Sequence, residues 1–432
     1  MIVLLLPVVA AILVCHYTHW PVNLLYKTEC ATIDSLRTYM FVLEGGPKPT
    51  ARCERFEARM KDGNVLLYIA RDSMRTMPQT GDTLITRTRI RRGGVIGTFD
   101  YGTYLRRQGI IGTAYIGTHS IVRHIPSAVK PQPPLQKRLY RRLAESGLQG
   151  DELATVGALT LGYKEDLDPE LRRRFQASGA AHVLAVSGLH TGIIYGIILW
   201  LLTLGGRLKP RYENRAGRWA ISVTVIAVMW FYAWLTGLTP SVVRAVVMVS
   251  LVEIGKMAYR NSLSLNTIAA AAVLILLVRP LDLWSVSFQL SFAATAAIVV
   301  FYPKIRYDGN PVFRYFLSLI LVSLAAQVVT LPITLHTFGQ VSTYFLLTNC
   351  IVLPIATFLV PFGMFTILLG GSIAGVLLGK ITWVLAWMMN HAVGWIESLP
   401  GSTVTGHCNG WMICIYYLII VLFYLLVLKK HE

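Results

Sequence analysis

The segment Ala180-Ala181-His182-Val183-Leu184-Ala185-Val186-Ser187-Gly188-Leu189-His190-Thr191-Gly192 places two histidines, a serine and a threonine in an otherwise apolar stretch. His182 and His190 are eight residues apart, about two helical turns, which predicts that both imidazoles share one helical face. From such a face they can donate to a phosphate, bond to neighbouring helices, or join a metal site completed by another helix. No His-x-x-x-His spacing or carboxylate partner accompanies them, so no metal is expected. Ser187 with His190 is also a pairing of nucleophile and base. No third group to orient the base is assignable, so neither a catalytic residue nor an enzyme activity is expected. The small residues of Ser187-Gly188 and Thr191-Gly192 let helices or a substrate backbone approach closely, and helix packing without a ligand accounts for each of them singly as well.

Arg244, Glu253, Gln289, Gln327, His336 and Asn349 also stand within apolar runs, where a polar side chain is costly enough to carry a functional expectation. A second constellation lies nearer the N-terminus. There Arg87, Arg89, Arg91, Arg92, Arg106 and Arg107 accompany Tyr68, Phe99, Tyr101, Tyr104 and Tyr115. Guanidinium groups neutralise phosphates and aromatic rings stack on bases, and a single nucleic-acid strand offers both contacts whatever its sequence. The same rings serve equally as core. Cys30 and Cys53 fall in this segment and could pair as a disulfide in an oxidising compartment or remain buried thiols. The six cysteines include no Cys-x-x-Cys pair, which argues against a zinc ribbon or a dithiol redox site. The run Ala374 to Ile381 lacks the first glycine and the final Ser/Thr of a phosphate-binding loop, and no cofactor is expected.

These residues are carried by a chain of 432 residues, 54% hydrophobic and 14% charged, a balance that excludes an ordinary soluble domain. The formal net charge is +18, and the basic excess is concentrated between Lys27 and Arg142, a surface that attracts nucleic acid or anionic lipid. The expected fold is a polytopic α-helical membrane protein of about ten spans with an N-terminal all-β extracytoplasmic domain. Residues 1–20 read as an uncleaved membrane anchor, 26–126 as a periplasmic β domain, 127–181 as a linker with amphipathic helices at the membrane surface, and 182–428 as the polytopic core. Spans are expected near 183–204, 219–237, 241–257, 264–279, 286–302 and 316–335. Two more fall within 343–379, turned near Pro361 to Gly363, and a last one at 411–428, while 381–399 lies at the interface. The basic loops Arg207 to Arg218, Lys256 to Arg260 and Lys304 to Arg314 then share the cytoplasmic side with both termini.

The 180–192 string resembles the signature of the ComEC/Rec2 competence family, in which a Gly/Ala-His-Leu-Leu-Ala-Ile-Ser-Gly-Leu-His-Val-Gly pattern opens the polytopic core. Further segments agree in order: Phe99-Asp100-Tyr101 with Tyr104-Leu105 and Gly109-Ile110, Ala158-Leu159 with Leu161-Gly162, Pro240-Ser241 with Arg244-Ala245, Phe288-Gln289-Leu290-Ser291-Phe292, and Asn349 with Pro354. The resemblance covers about residues 25–428. It implies an OB-like barrel outside the cytoplasm, a channel core, and passage of single-stranded DNA across a bacterial inner membrane in natural transformation. On that reading Arg87, Arg89, Arg91, Arg92, Arg106 and Arg107 capture phosphates. His182, Ser187, Gly188, His190, Arg244 and Gln289 line the path between helices. The implied partners are single-stranded DNA, membrane lipids, a periplasmic DNA receptor, a cytoplasmic motor and a separate nuclease. The metallo-β-lactamase-like domain that ends many members is not expected in this chain, which holds no His-x-His-x-Asp-His motif. Two readings compete: a secondary transporter of a small anionic solute, and a membrane serine hydrolase built on Ser187 and His190.

Overall fold

The computed structural model describes residues 36–423 and 426, except 45, 51–52, 72–76, 92, 97–98, 108, 118–119, 128–134, 185, 204–213, 259–264 and 302–309. The chain divides into two compact units, one ending at Pro133 and the other running from Pro134 onward.

The first unit is built from β1 (Arg37–Leu43), β2 (Lys48–Pro49), β3 (Cys53–Met60), β4 (Gly63–Ala70), β5 (Thr83–Thr88), β6 (Ile90–Arg91), β7 (Val95–Ile96), β8 (Phe99–Asp100), β9 (Ile110–Ile116) and β10 (Ile121–Ile125), with helix α1 (Tyr101–Arg107) before β9. Alternation sets its two faces. In β5, Leu84, Thr86 and Thr88 are buried while Arg87 is exposed; in β9, Ile110, Gly112, Ala114 and Ile116 are buried while Tyr115 is exposed. The main sheet runs β10-β5-β1-β3-β4-β9-β6 and is antiparallel except for the parallel β4–β9 pair. Because β5 continues into β6 through Arg89 alone, and β5 borders β1 while β6 borders β9, the sheet curls back on itself. Thr88 Oγ1 donates to the Tyr115 carbonyl at 2.9 Å along that seam. Glycine is needed there, since a Cβ on Gly112 would lie 2.7 Å from the Arg91 carbonyl oxygen. Phe41, Phe56, Leu67, Ile69, Leu84 and Ile116 fill the interior, each contributing roughly 1.5–3 kcal/mol by burial. Asp82 is buried, accepts from the Gln79 and Ser127 amides at 2.9 and 2.8 Å, and pairs with His124 Nε2 at 2.8 Å. Burial by itself raises its carboxyl, but those bonds outweigh the burial and hold it below the usual value.

The second unit is helical: α2 (Leu135–Glu145), α3 (Gly150–Leu161), α4 (Pro169–Ser178), α5 (Ala181–Leu184), α6 (Gly188–Leu202), α7 (Arg215–Leu235), α8 (Pro240–Met257), α9 (Leu265–Val278), a 3-10 turn at Pro280–Trp284, α10 (Val286–Phe301), α11 (Pro311–Phe338), α12 (Phe345–Leu368), α13 (Ile373–Glu397) and α14 (Gly410–Phe423). An antiparallel pair of β11 (Gln340–Ser342) and β12 (Thr403–Thr405), with α12 and α13 between them in the chain, links the end of α11 to the approach to α14. Among the described residues, α7, α11, α12 and α13 are long and apolar enough to cross a membrane, and α6, α9, α10 and the start of α14 are shorter apolar helices. Trp200, Phe231, Leu277, Val278, Ile373 and Trp411 are among the exposed side chains. A bundle with aromatic and aliphatic groups turned outward needs lipid rather than water around it, so this is a membrane protein.

Three expectations change. Helix α12 passes through Pro354 and Pro361 unbroken, and the chain turns at Leu369–Ser372 rather than near Pro361 to Gly363. Gly371 supplies a φ of 83° in that turn, and Ser372 Oγ accepts from the Gly375 amide at 3.1 Å to start α13. Gly363 serves packing instead: a Cβ there would lie 2.7 Å from Thr160 Cγ2 of α3. Residues 381–397 are consequently part of the 25-residue α13, not a separate interfacial helix. Helices α2 and α3 of the second unit, expected alike as amphipathic surface helices, also differ from one another. α2 buries Tyr140 and Leu143 and exposes Lys137, Arg138, Arg141 and Arg142, whereas α3 is buried continuously from Ala154 to Leu161, with Thr155 Oγ1 bonded to Asn390 Oδ1 at 2.9 Å. The anchor expected at 1–20 and most of the basic loop residues lie outside the described residues.

Candidate functional site

Ser187 adopts an extended backbone and caps α6. Its side chain accepts from the His190 amide, its own amide donates to His190 Nδ1 at 3.2 Å, and its Oγ lies 2.9 Å from that nitrogen. This is a reciprocal capping box with histidine where glutamate or glutamine usually stands. A backbone N–H can only donate, so Nδ1 is the acceptor and the neutral ring carries its proton on Nε2. That Nε2 is buried and has no hydrogen-bond partner. His182 lies instead in α5, exposed, with Nδ1 3.0 Å from the Gly179 carbonyl. The extended residue at Ser187 separates α5 from α6, so the two histidines do not share a helical face as their spacing predicts. Gly188 is exposed in the first turn of α6.

Helix α8 starts beside this cap, where Ser241 Oγ donates to the Val186 carbonyl at 2.7 Å. The α7–α8 turn is tight: Gly237 and Leu238 take φ values of 76° and 51°. For leucine that conformation costs on the order of 1 kcal/mol. One turn into α8, Arg244 is 4% exposed and donates from Nη2 to Ser287 Oγ at 2.8 Å, at the start of α10. Its Nε has no partner, and among the described residues no carboxylate lies within ion-pair distance of it. Gln289 is turned to a local task, donating to the Leu283 carbonyl at 3.1 Å. At the other end of α8, Glu253 is wholly buried and accepts from Tyr195 at 2.6 Å, Ser222 at 2.7 Å and Lys256 at 2.7 Å, which ties α6, α7 and α8 together.

On the first unit, Arg87, Arg89 and Arg91 are exposed, Arg106 and Arg107 lie in α1, and Arg92 is outside the described residues. Tyr68 and Tyr115 are register partners on β4 and β9, and their rings stack at 4.9 Å with 15° between planes. Tyr101 and Tyr104 of α1 stack at 6.0 Å, and the Tyr68 and Tyr101 hydroxyls are 3.4 Å apart. Burial first, then the Tyr68 hydroxyl, pushes the Tyr101 phenol up to about 12. Tyr115 is 62% exposed, so this stack presents a ring face at the surface. Arg55, opposite Tyr68 on β3, adds a cation beside it. Cys53 is half-buried on β3, and its expected partner Cys30 is outside the described residues.

Sequence reasoning missed Arg55, Tyr195, Ser222, Tyr232, Thr239, Lys256 and Ser287. For two of these a signal was available: Glu253 and Lys256 form an i,i+3 charge pair in an apolar helix, and Arg55 alternates with the inward Phe56 and Ala58. Tyr195 and Ser222 carry no local signal, because their partner is on another helix.

Residues 159–430 match the model of the family described as Competence protein. The chain is 30% identical over 293 residues to ComE operon protein 3 of Bacillus subtilis (strain 168), covering 66% of this chain and 34% of that protein. It is 27% identical over 173 residues to Competence protein ComA of Neisseria gonorrhoeae (40% of this chain, 25% of that one), and 25% identical over 263 residues to Recombination protein 2 of Haemophilus influenzae (58% and 32%). The chain thus spans about a third or less of the length of these curated relatives. No solved structure matches it.

Proposed function

The chain belongs to the Competence protein family, and from that premise we propose that it passes single-stranded DNA across a bacterial inner membrane during natural transformation. The family match across the helical unit carries this reading. The first unit supports it: its strand order β1-β3-β4-β9 with return through β6 and β5, and its parallel β4–β9 pair, fit an OB-like barrel. In such barrels the second and third strands present the oligonucleotide face, and here those positions hold Arg55 and Tyr68, with Tyr115 stacked alongside. Bases stack on the tyrosines, and Arg87, Arg89 and Arg91 take phosphates, so binding is independent of sequence. The barrel is periplasmic, between the first of about ten spans and the rest, and both termini are cytoplasmic. The strand continues between helices past Ser187, His190 and Arg244, with His182, Gly188 and Gln289 at the margins. The chain itself does no bond-breaking chemistry; a periplasmic receptor, a cytoplasmic motor and a separate nuclease supply capture, force and strand removal.

The test is binding of labelled single-stranded DNA to the full chain in lipid nanodiscs as salt is varied. Replacing Arg87, Arg89 and Arg91 by Gln should reduce the log–log salt slope by roughly 2, and Tyr115→Ala should cost about 1–3 kcal/mol of affinity with the slope unchanged. Binding that ignores salt and both changes overturns the DNA reading.

A further inference from the structure

Among the described residues, four buried side-chain atoms without a partner fall at one end of three packed helices: His190 Nε2 in the first turn of α6, Tyr232 OH in the last turn of α7, Thr239 Oγ1 at the residue before α8, where it makes no capping bond, and Arg244 Nε one turn into α8. The Ser241–Val186 bond brings these helix ends together, and Arg244 reaches Ser287 at the start of α10. His190, Tyr232 and Arg244 are 0%, 3% and 4% exposed. All four groups can donate. Nε2 of His190 and Nε of Arg244 have no other role, since the ring's Nδ1 is already the acceptor and guanidinium never accepts. The N-termini of α6, α8 and α10 add partial positive charge there, set against the partial negative charge of the α7 C-terminus. Asp282 acts on Arg244 only from beyond ion-pair distance, a buried guanidinium without a direct ion pair is expensive, and donors left unmade are expensive too. Both costs vanish if an anion with several acceptor oxygens enters.

We infer that this junction is a binding site for a phosphate group, held by Arg244 with His190, Tyr232 and Thr239 donating around it. The inference deepens the DNA reading and rests on it for the source of the phosphate, a phosphodiester of the passing strand. The site takes a phosphate, which every nucleotide carries alike, so it does not depend on base sequence.

The full chain in zwitterionic nanodiscs is unfolded by heat in sodium chloride and in inorganic phosphate at matched ionic strength. Phosphate stabilises proteins generally, so only the difference between wild type and variants counts. Wild type should gain roughly 3 °C more in phosphate than Arg244→Met does, and Arg244→Met should melt no lower than wild type in chloride, since a buried cation held by one serine hydroxyl and no direct ion pair has been removed. Tyr232→Phe, which removes one hydroxyl and no volume, should weaken the phosphate effect several-fold. If both variants keep the full wild-type gain, or if Arg244→Met melts well below wild type in chloride, the site is overturned. Short single-stranded DNA that abolishes the phosphate gain supports the phosphodiester source. A phosphate gain that depends on Arg244 but that DNA does not compete for leaves the site standing and removes the DNA reading.

Discussion

Glu253 and Arg244 are both buried charges on α8, yet the two ends of that helix treat them in opposite ways. Glu253 receives a tyrosine, a serine and a lysine from three helices, so the cost of its burial is met within the fold. Arg244 donates to one serine hydroxyl and leaves Nε unpaired. The first arrangement fixes helix positions. The second leaves free energy for something that arrives later, and the same contrast separates the fully bonded Asp82 from the open donors of the α6–α8 junction.

The comparison breaks most easily at Glu253. Replacing it by alanine removes the acceptor that Lys256, Tyr195 and Ser222 share and should lower the stability of the helical unit by roughly 3–5 kcal/mol, read from thermal unfolding in nanodiscs; a loss below about 1 kcal/mol would mean the network fixes nothing. Asp82→Ala leaves two amides and His124 without their acceptor and should cost about 1–3 kcal/mol in the first unit. Its folded carboxyl titrates below the unfolded value of about 3.9, so the contribution is complete above that pH and is lost as pH falls through the folded value. The variant should lack that acid-sensitive portion of the unfolding curve. The smallest effect is at Ser187. As a cap, its replacement by alanine should cost about 1 kcal/mol of stability, and a serine-reactive fluorophosphonate should label neither form. Covalent labelling that Ser187→Ala abolishes would restore the hydrolase reading.

The length of apolar runs was enough to place most of the long helices of the second unit, because crossing about 30 Å of hydrocarbon takes roughly 17–25 apolar residues. It misplaced the turn after α12, where Pro361 and Gly363 look like a break. Within lipid a helix tolerates proline, and the glycine is there to admit Thr160. The candidate residues Ser187, His190 and Arg244 stood out early because polar groups are costly in apolar runs, but their roles did not. Ser187 and His190 read as part of the path between helices, with a nucleophile-and-base pairing as the competing reading, and the cap that engages His190 Nδ1 appears only in the fold.

What the sequence determined by itself was the division into a basic β unit and an apolar helical unit, the residues that resemble a known family, and which side chains were too polar for their surroundings. Only the tertiary structure decided which of those polar groups are satisfied. A hydrogen bond between α6 and α8 or between β4 and β9 depends on where two distant segments meet in space, and local spacing carries no record of that meeting. For the same reason Glu253 and Arg244, equally conspicuous in the chain, are a lock and an open site in the fold.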